Sequence, residues 1–150
     1  MKRLTSDELF LYALRLLAAR AYSEATLRQK LSLRATSEMV ETTLQRIKQH
    51  GYLDDHSYAE GYARLYAGKW GAAKLRRALL AKGVSSEIVE RVLLAQAAAQ
   101  DPVEEALALL VRYHSRHKGE KPRAVRFLVN RGYPLAQALA AWARYLERSG

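Results

Sequence analysis

Apolar residues recur along the chain at helical intervals, and strand-like alternation of apolar and polar positions never persists, so the pattern predicts an all-α protein. Start and stop signals divide it into about nine helices. Thr5-Ser6-Asp7-Glu8 reads as a capping box, in which the Glu8 carboxylate reaches back to a free backbone N–H. Asp101-Pro102-Val103-Glu104 predicts a second start, with Asp101 at the N-cap, Pro102 fixing the first helical φ and Glu104 completing the box. Gly51, Gly83 and Gly132 each follow a basic or polar helix end and precede an apolar residue, the pattern of a left-handed glycine cap. Asp54-Asp55 sits just before a helix, where Asp caps N–H groups; that role suits it better than acid–base chemistry.

The chain also repeats itself. Displacing it by 48 positions lays Tyr22-Ser23-Glu24-Ala25-Thr26-Leu27 on Trp70-Gly71-Ala72-Ala73-Lys74-Leu75, and sets Leu31 on Leu79, Arg34 on Lys82, Val40 on Ile88 and Leu44 on Val92. A displacement of 49 lays Lys82-Gly83-Val84 on Arg131-Gly132-Tyr133 and Leu79 on Leu128. The third copy is looser and holds an irregular insertion, Ser115-Arg116-His117-Lys118-Gly119-Glu120. Three units are expected, residues 1–51, 52–97 and 98–150, each helix, turn, helix, turn, helix. One such unit is too small to bury its own apolar faces, so the predicted fold is a tandem array of three three-helix repeats, elongated and solenoid-like. Tyr58, Tyr62, Tyr66 and Trp70 form an aromatic stripe on one helix, and bases can stack on such a surface. The repeat sets it on Phe10, Leu14, Ala18 and Tyr22, a mixed aromatic and aliphatic set, so the stripe is expected in the core.

Composition narrows the function. Hydrophobic residues make up 49% of 150, enough for a core. The formal charge is +10, and the excess is spread along the whole chain: nine basic against five acidic groups in residues 1–50, seven against five in 51–100, nine against five in 101–150. A long basic surface for nucleic acid or an acidic partner is favoured over a basic tail. There is no cysteine, no apolar run able to span a bilayer and no secretory signal at the N-terminus, which fits a cytoplasmic protein. Arg34, Lys82 and Arg131 occupy the same place in each unit, at the end of the middle helix, where they meet both the helix dipole and any periodic anionic partner. Arg28, Lys74, Arg76, Arg77, Arg123 and Arg126 lie on the same middle helices; Lys74 with Arg77, and Arg123 with Arg126, share faces. His114, Arg116, His117, Lys118 and Lys121 enlarge the basic cluster in the third unit. His114-x-x-His117 has no cysteine or carboxylate at ligand spacing, so no metal is expected. No phosphate-binding glycine loop or nucleophile motif occurs, so the chain is expected to bind rather than catalyse, without a cofactor.

Several of these segments, in this order, resemble one family. They are Ala13-Leu14-Arg15-Leu16-Leu17, Tyr22-Ser23-Glu24-Ala25-Thr26-Leu27 with Lys30-Leu31, Gly51-Tyr52-Leu53-Asp54-Asp55 with Tyr58-Ala59 and Tyr62, Lys69-Trp70-Gly71-Ala72-Ala73-Lys74-Leu75 with Leu79, and Ala81-Lys82-Gly83-Val84. Over residues 9–94 the chain is similar to the RecX family of recombination regulators. Tyr58 stands where the family usually has Phe, and Ala35 where Gly83 leads one to expect glycine. The resemblance implies tandem three-helix repeats and a cytoplasmic protein that binds RecA nucleoprotein filaments; a monomer is expected. It further implies inhibition of recombinase, ATPase and co-protease activity, and binding to single-stranded and, in second place, double-stranded DNA. Two rival readings stand beside it: a sequence-nonspecific helical DNA-binding protein without a recombinase partner, and a scaffold whose charge serves solubility.

Overall fold

A computed structural model describes residues 3–149, and every regular element among them is helical. The order is α1 (Ser6–Ala19), α2 (Glu24–Ser32), α3 (Ser37–Gln49), α4 (Asp55–Leu65), α5 (Ala72–Ala81), α6 (Ser86–Ala99), α7 (Pro102–Arg112), α8 (His114–His117), α9 (Lys121–Asn130) and α10 (Leu135–Ser149). The sequence predicts about nine; the addition is the single turn of α8, inside the segment read as irregular. His117 explains it. Its buried ring bonds the Leu110 carbonyl through Nε2 (2.8 Å) and accepts the Gly119 N–H at Nδ1 (3.1 Å), which folds the insertion back on α7. His117 is thus a core residue and leaves the surface cluster expected of it. His114 bonds the Tyr145 hydroxyl (2.6 Å), and no metal-ligand cluster occurs among the described residues.

The helix starts follow local rules. Thr5 and Glu8 form the reciprocal box, with the Thr5 N–H donating to Glu8 Oε1 (2.9 Å). Asp101 caps α7 through the N–H groups of Val103 and Glu104. Glu104 departs from expectation: its carboxylate accepts from Arg144 (2.9 Å) and Arg148 (3.0 Å) of α10 instead of closing the box. Two charged donors outcompete one backbone N–H.

Apolar side chains gather in three clusters. The first is built on Leu9, Leu27, Leu31, Val40, Leu44 and Ile47 from α1–α3. The second, on Leu75, Leu79, Val89 and Val92, comes from α4–α6, and the third, on Leu107, Leu110, Leu128 and Trp142, from α7–α10. All extensive helix–helix packing falls inside these groups, called here the first, second and third units. The accessible surface is 9075 Å². A compact chain of this mass exposes roughly 7,700 Å²; the excess fits an extended array.

The aromatic stripe is not core in the full sense. Tyr58, Tyr62, Tyr66 and Trp70 are half-buried and lean on the second cluster from its edge. Their rings run in a continuous series, ending in Tyr66 stacked on Trp70 at 3.8 Å. Lys74 Nζ also stands over the Trp70 ring, 4.4 Å from its centre. Two groups that close cannot share a face, so Trp70 offers none to a nucleobase.

Candidate functional site

The middle helices α2, α5 and α9 meet end to end, through backbone groups that helix termini leave without intrahelical partners. At the joint of the second and third units, the Gly71 and Ala73 N–H groups, at the start of α5, donate to the carbonyls of Arg131 (2.7 Å) and Gly132 (3.0 Å), just past the end of α9. The Arg131 guanidinium donates in turn to the Lys69 carbonyl (3.4 Å). At the joint of the first and second units, Ser23 caps α2 and its hydroxyl donates to the Lys82 carbonyl (2.6 Å) at the end of α5. Asp55 braces that joint by accepting the Glu24 N–H (2.8 Å). Ser23 and Gly71 are the positions that the 48-residue repeat superimposes.

Two glycines at these joints carry a double requirement. Gly83 and Gly132 have φ of +83° and +98°, and a Cβ on either would strike Ala25 or Lys74 of the neighbouring unit. Ala35, at the corresponding place in the first unit, has no positive φ and meets no preceding unit. The carbonyl of Arg34 accepts the Leu4 N–H (2.9 Å) of the leader in its place. At the far end of the row, Pro122 stands where α5 has the donor Ala73, and it has no N–H.

The structure divides the basic residues singled out by the sequence. Arg28 is held by Glu41 (2.7 Å) of α3 and by Glu24 (2.8 Å); Arg76 is held by Glu90 of α6 at 2.5 Å, the same brace one repeat on. The Arg28 and Arg76 hydrogen bonds hold the carboxyls of Glu41 and Glu90 below their usual range. Burial opposes the same effect at Glu24, where bonds to Arg28 and Lys48 outweigh it. Arg123 pairs with Glu120 (3.2 Å). Arg28 and Arg76 thus tie two helices of their own unit together, while the Arg123 pair stays local to the start of α9. Arg131 lies over Tyr113 and Phe127, at 4.8 and 4.7 Å, beside the joint of the second and third units, and Arg34 lies over Tyr12 at 5.1 Å, at the undocked end of α2. Lys74 faces Trp70 while Arg77, on the next turn of its face, stands in solvent. Arg77, Lys82 and Arg126 have no carboxylate partner among the described residues. The end-to-end joints therefore string together a row of cations whose charge is only partly neutralised at home.

The cavity beside the second joint, between Trp70, Gly71, Glu105, Tyr133 and Gln137, holds about 70 Å³, against several hundred for a ligand pocket. Burial pushes Glu105 and Tyr133 up. No described helix is long and apolar enough to cross a membrane.

Residues 54–93 match the family described as RecX, second three-helix domain. A regulatory protein RecX of Thermus thermophilus is 50% identical over 136 residues, covering 91% of each chain. Another, of Vibrio vulnificus, is 32% identical and covers 83% of this chain and 84% of its own. The crystal structure of RecX from Lactobacillus salivarius has a TM-score of 0.81 at 18% identity, over 93% of this chain and 96% of that one, a likeness of fold.

Proposed function

The chain belongs to the RecX family, and from that premise we propose that it binds RecA nucleoprotein filaments and restrains their recombinase, ATPase and co-protease activities, with no chemistry of its own. The observation that carries this reading is the end-to-end row α9–α5–α2 with its cations only partly neutralised. A filament repeats one protomer surface along its axis and holds a phosphate backbone within. A row of three linked units engages several repeats at once, and after the first contact each further one is intramolecular, which raises the effective concentration.

Within this reading the units 1–51, 52–97 and 98–150 act as successive contact modules. Lys74, Arg77, Lys82, Arg126 and Arg131 face the partner, along with Arg34. Arg28, Arg76 and Arg123 serve the units' own cohesion and contribute indirectly. The protein works as a monomer in the cytoplasm and touches DNA, single-stranded first, through phosphate contacts that carry no sequence information.

The test is phosphate release by RecA on single-stranded DNA with ATP, with the protein titrated in. Inhibition well below one molecule per RecA protomer is expected. Inhibition only at amounts that saturate the DNA would favour a plain DNA-binding protein, and no inhibition would end the proposal. Reversing Lys74, Arg77 and Lys82 to Glu is expected to leave the helical circular dichroism in place and to raise the inhibitory concentration sharply.

A further inference from the structure

Two polar atoms beside the second joint are sealed from solvent without a partner. Tyr133 is 1% exposed, and its hydroxyl reaches no hydrogen-bonding group among the described residues. Oε1 of Gln137, four residues on in α10, is in the same position. Buried polar atoms are nearly always bonded, to protein or to ordered water. Both residues line the 70 Å³ cavity together with Glu105 of α7, and the second unit contributes Trp70, Gly71 and Leu93 to the wall. The polar pair is peculiar to the third unit. The displacement of 49 that lays Val84 on Tyr133 lays Ile88 on Gln137, and both of those pack in the second apolar cluster.

Size and chemistry select the occupant. A water molecule's share of the liquid is about 30 Å³, so the cavity has room for about two. A buried water needs about two to four polar partners, and three face it here: Tyr133 donates or accepts, Gln137 Oε1 accepts, and the Glu105 carboxyl accepts or, when protonated, donates. Burial raises the pKa of both Glu105 and Tyr133, as it does for groups walled off from bulk solvent. We propose that the cavity is a water-binding site, in which ordered water bridges the Tyr133 hydroxyl to Gln137 Oε1 with the Glu105 carboxyl as third partner. The water ties α7 to the start of α10 beneath the wall that the second unit supplies. This joint is thereby filled with solvent, where the second unit's equivalents, Val84 and Ile88, pack as side chains. The proposal stands apart from the filament reading, and its test uses the protein alone.

Thermal melts of Tyr133→Phe, Gln137→Met and the double variant test it. Phe and Met keep the bulk and remove the polar atoms. Each single variant should melt about 1–5 °C below the parent, because a bond to bridging water is nearly as good as a direct one. The double variant should lose clearly less than the two singles summed, since both remove bonds to the same water. In the parent, nuclear Overhauser transfer should pass from long-lived water to the Leu93 methyl groups, which carry no exchangeable proton, and it should fade in the double variant. If either single variant melts above the parent, the atom it removes had no partner, the cavity is dry and the site is overturned. Additive losses overturn the bridge, and a parent without water-to-Leu93 transfer overturns the site whatever the melts show.

Discussion

The joint between α9 and α5 can be probed with three alanines that separate its two demands. Gly51 has φ +75° and open space around it, so Gly51→Ala carries backbone strain alone, about 1 kcal/mol. Gly71 has φ −81°, which alanine adopts freely, but its Cβ would lie under 3.0 Å from the Gly132 carbonyl and the Tyr133 nitrogen, both backbone atoms. Gly71→Ala therefore opens the joint. The bonds Gly71 N–H to Arg131 and Ala73 N–H to Gly132 are lost, each about 0.5–1.5 kcal/mol net, or about 1–3 together. Gly132→Ala meets both penalties, strain at φ +98° and collision with Lys74, for about 2–5 kcal/mol. Thermal melts followed by circular dichroism should rank them in that order, at about 2–4 °C per kcal/mol. Amide exchange should quicken at Ala73 before it changes at Leu79. The joint can open only once, so Gly71→Ala/Gly132→Ala should cost less than the sum of the singles, by about the worth of the shared bonds. If Gly71→Ala melts with the parent, or the double variant is additive, the close approach of the two units is refuted.

Three further outcomes are expected. Tyr62→Ala should destabilise by about 2 kcal/mol in a thermal melt, short of the 3–5 typical of a fully buried aromatic, because the stripe sits at the core's edge. Glu41 and Glu90 titrate below their usual range, so the stabilisation from their braces is present above the unfolded carboxyl pKa near 4.5 and is lost as pH falls through the lowered values; melting temperatures between pH 6 and 3 should fall less for Arg28→Met/Arg76→Met than for the parent. Binding to DNA should fall steeply and linearly on a log–log plot against salt, with no preference among duplex sequences; a flat plot would contradict a phosphate-led contact.

Much of the fold could be read from residues whose partners are close in sequence. Thr5 with Glu8, Asp101 with the N–H groups beyond it, and the glycines after α3, α5 and α9 act within a turn or two, so local chemistry decides them. Glu104 could not be read so, because Arg144 and Arg148 come from a helix 40 and 44 positions away. The stripe failed for a related reason. Its counterparts range from buried Tyr22 to exposed Ala18, and equivalence in a repeat does not carry burial with it. The row of cations was visible as composition and spacing, but its division was not. Glu41 and Glu90 sit 13 and 14 positions from Arg28 and Arg76, and only the packing of α3 on α2 and of α6 on α5 brings them together. The joints were hidden more deeply, since Lys82, Arg131 and Gly132 meet the next unit through main-chain carbonyls, which every residue possesses. Ala35 was the one visible trace: glycine is absent where no unit docks.

Leu4 and Pro122 give the row a consequence for assembly. A head-to-tail contact whose two halves differ has no built-in stopping point; with both halves open, molecules add to one another without limit and make fibres. Here the acceptor half at α2 is occupied by the Leu4 N–H; of the two donating amides, the donor half at α9 has proline in place of one, and the other, of Glu120, is bonded to the His117 carbonyl. Neither end can take another copy by the bonds that link the units within the chain. On the filament proposed as its partner, the reach of one copy, rather than head-to-tail growth by these bonds, would then set how far its contacts extend.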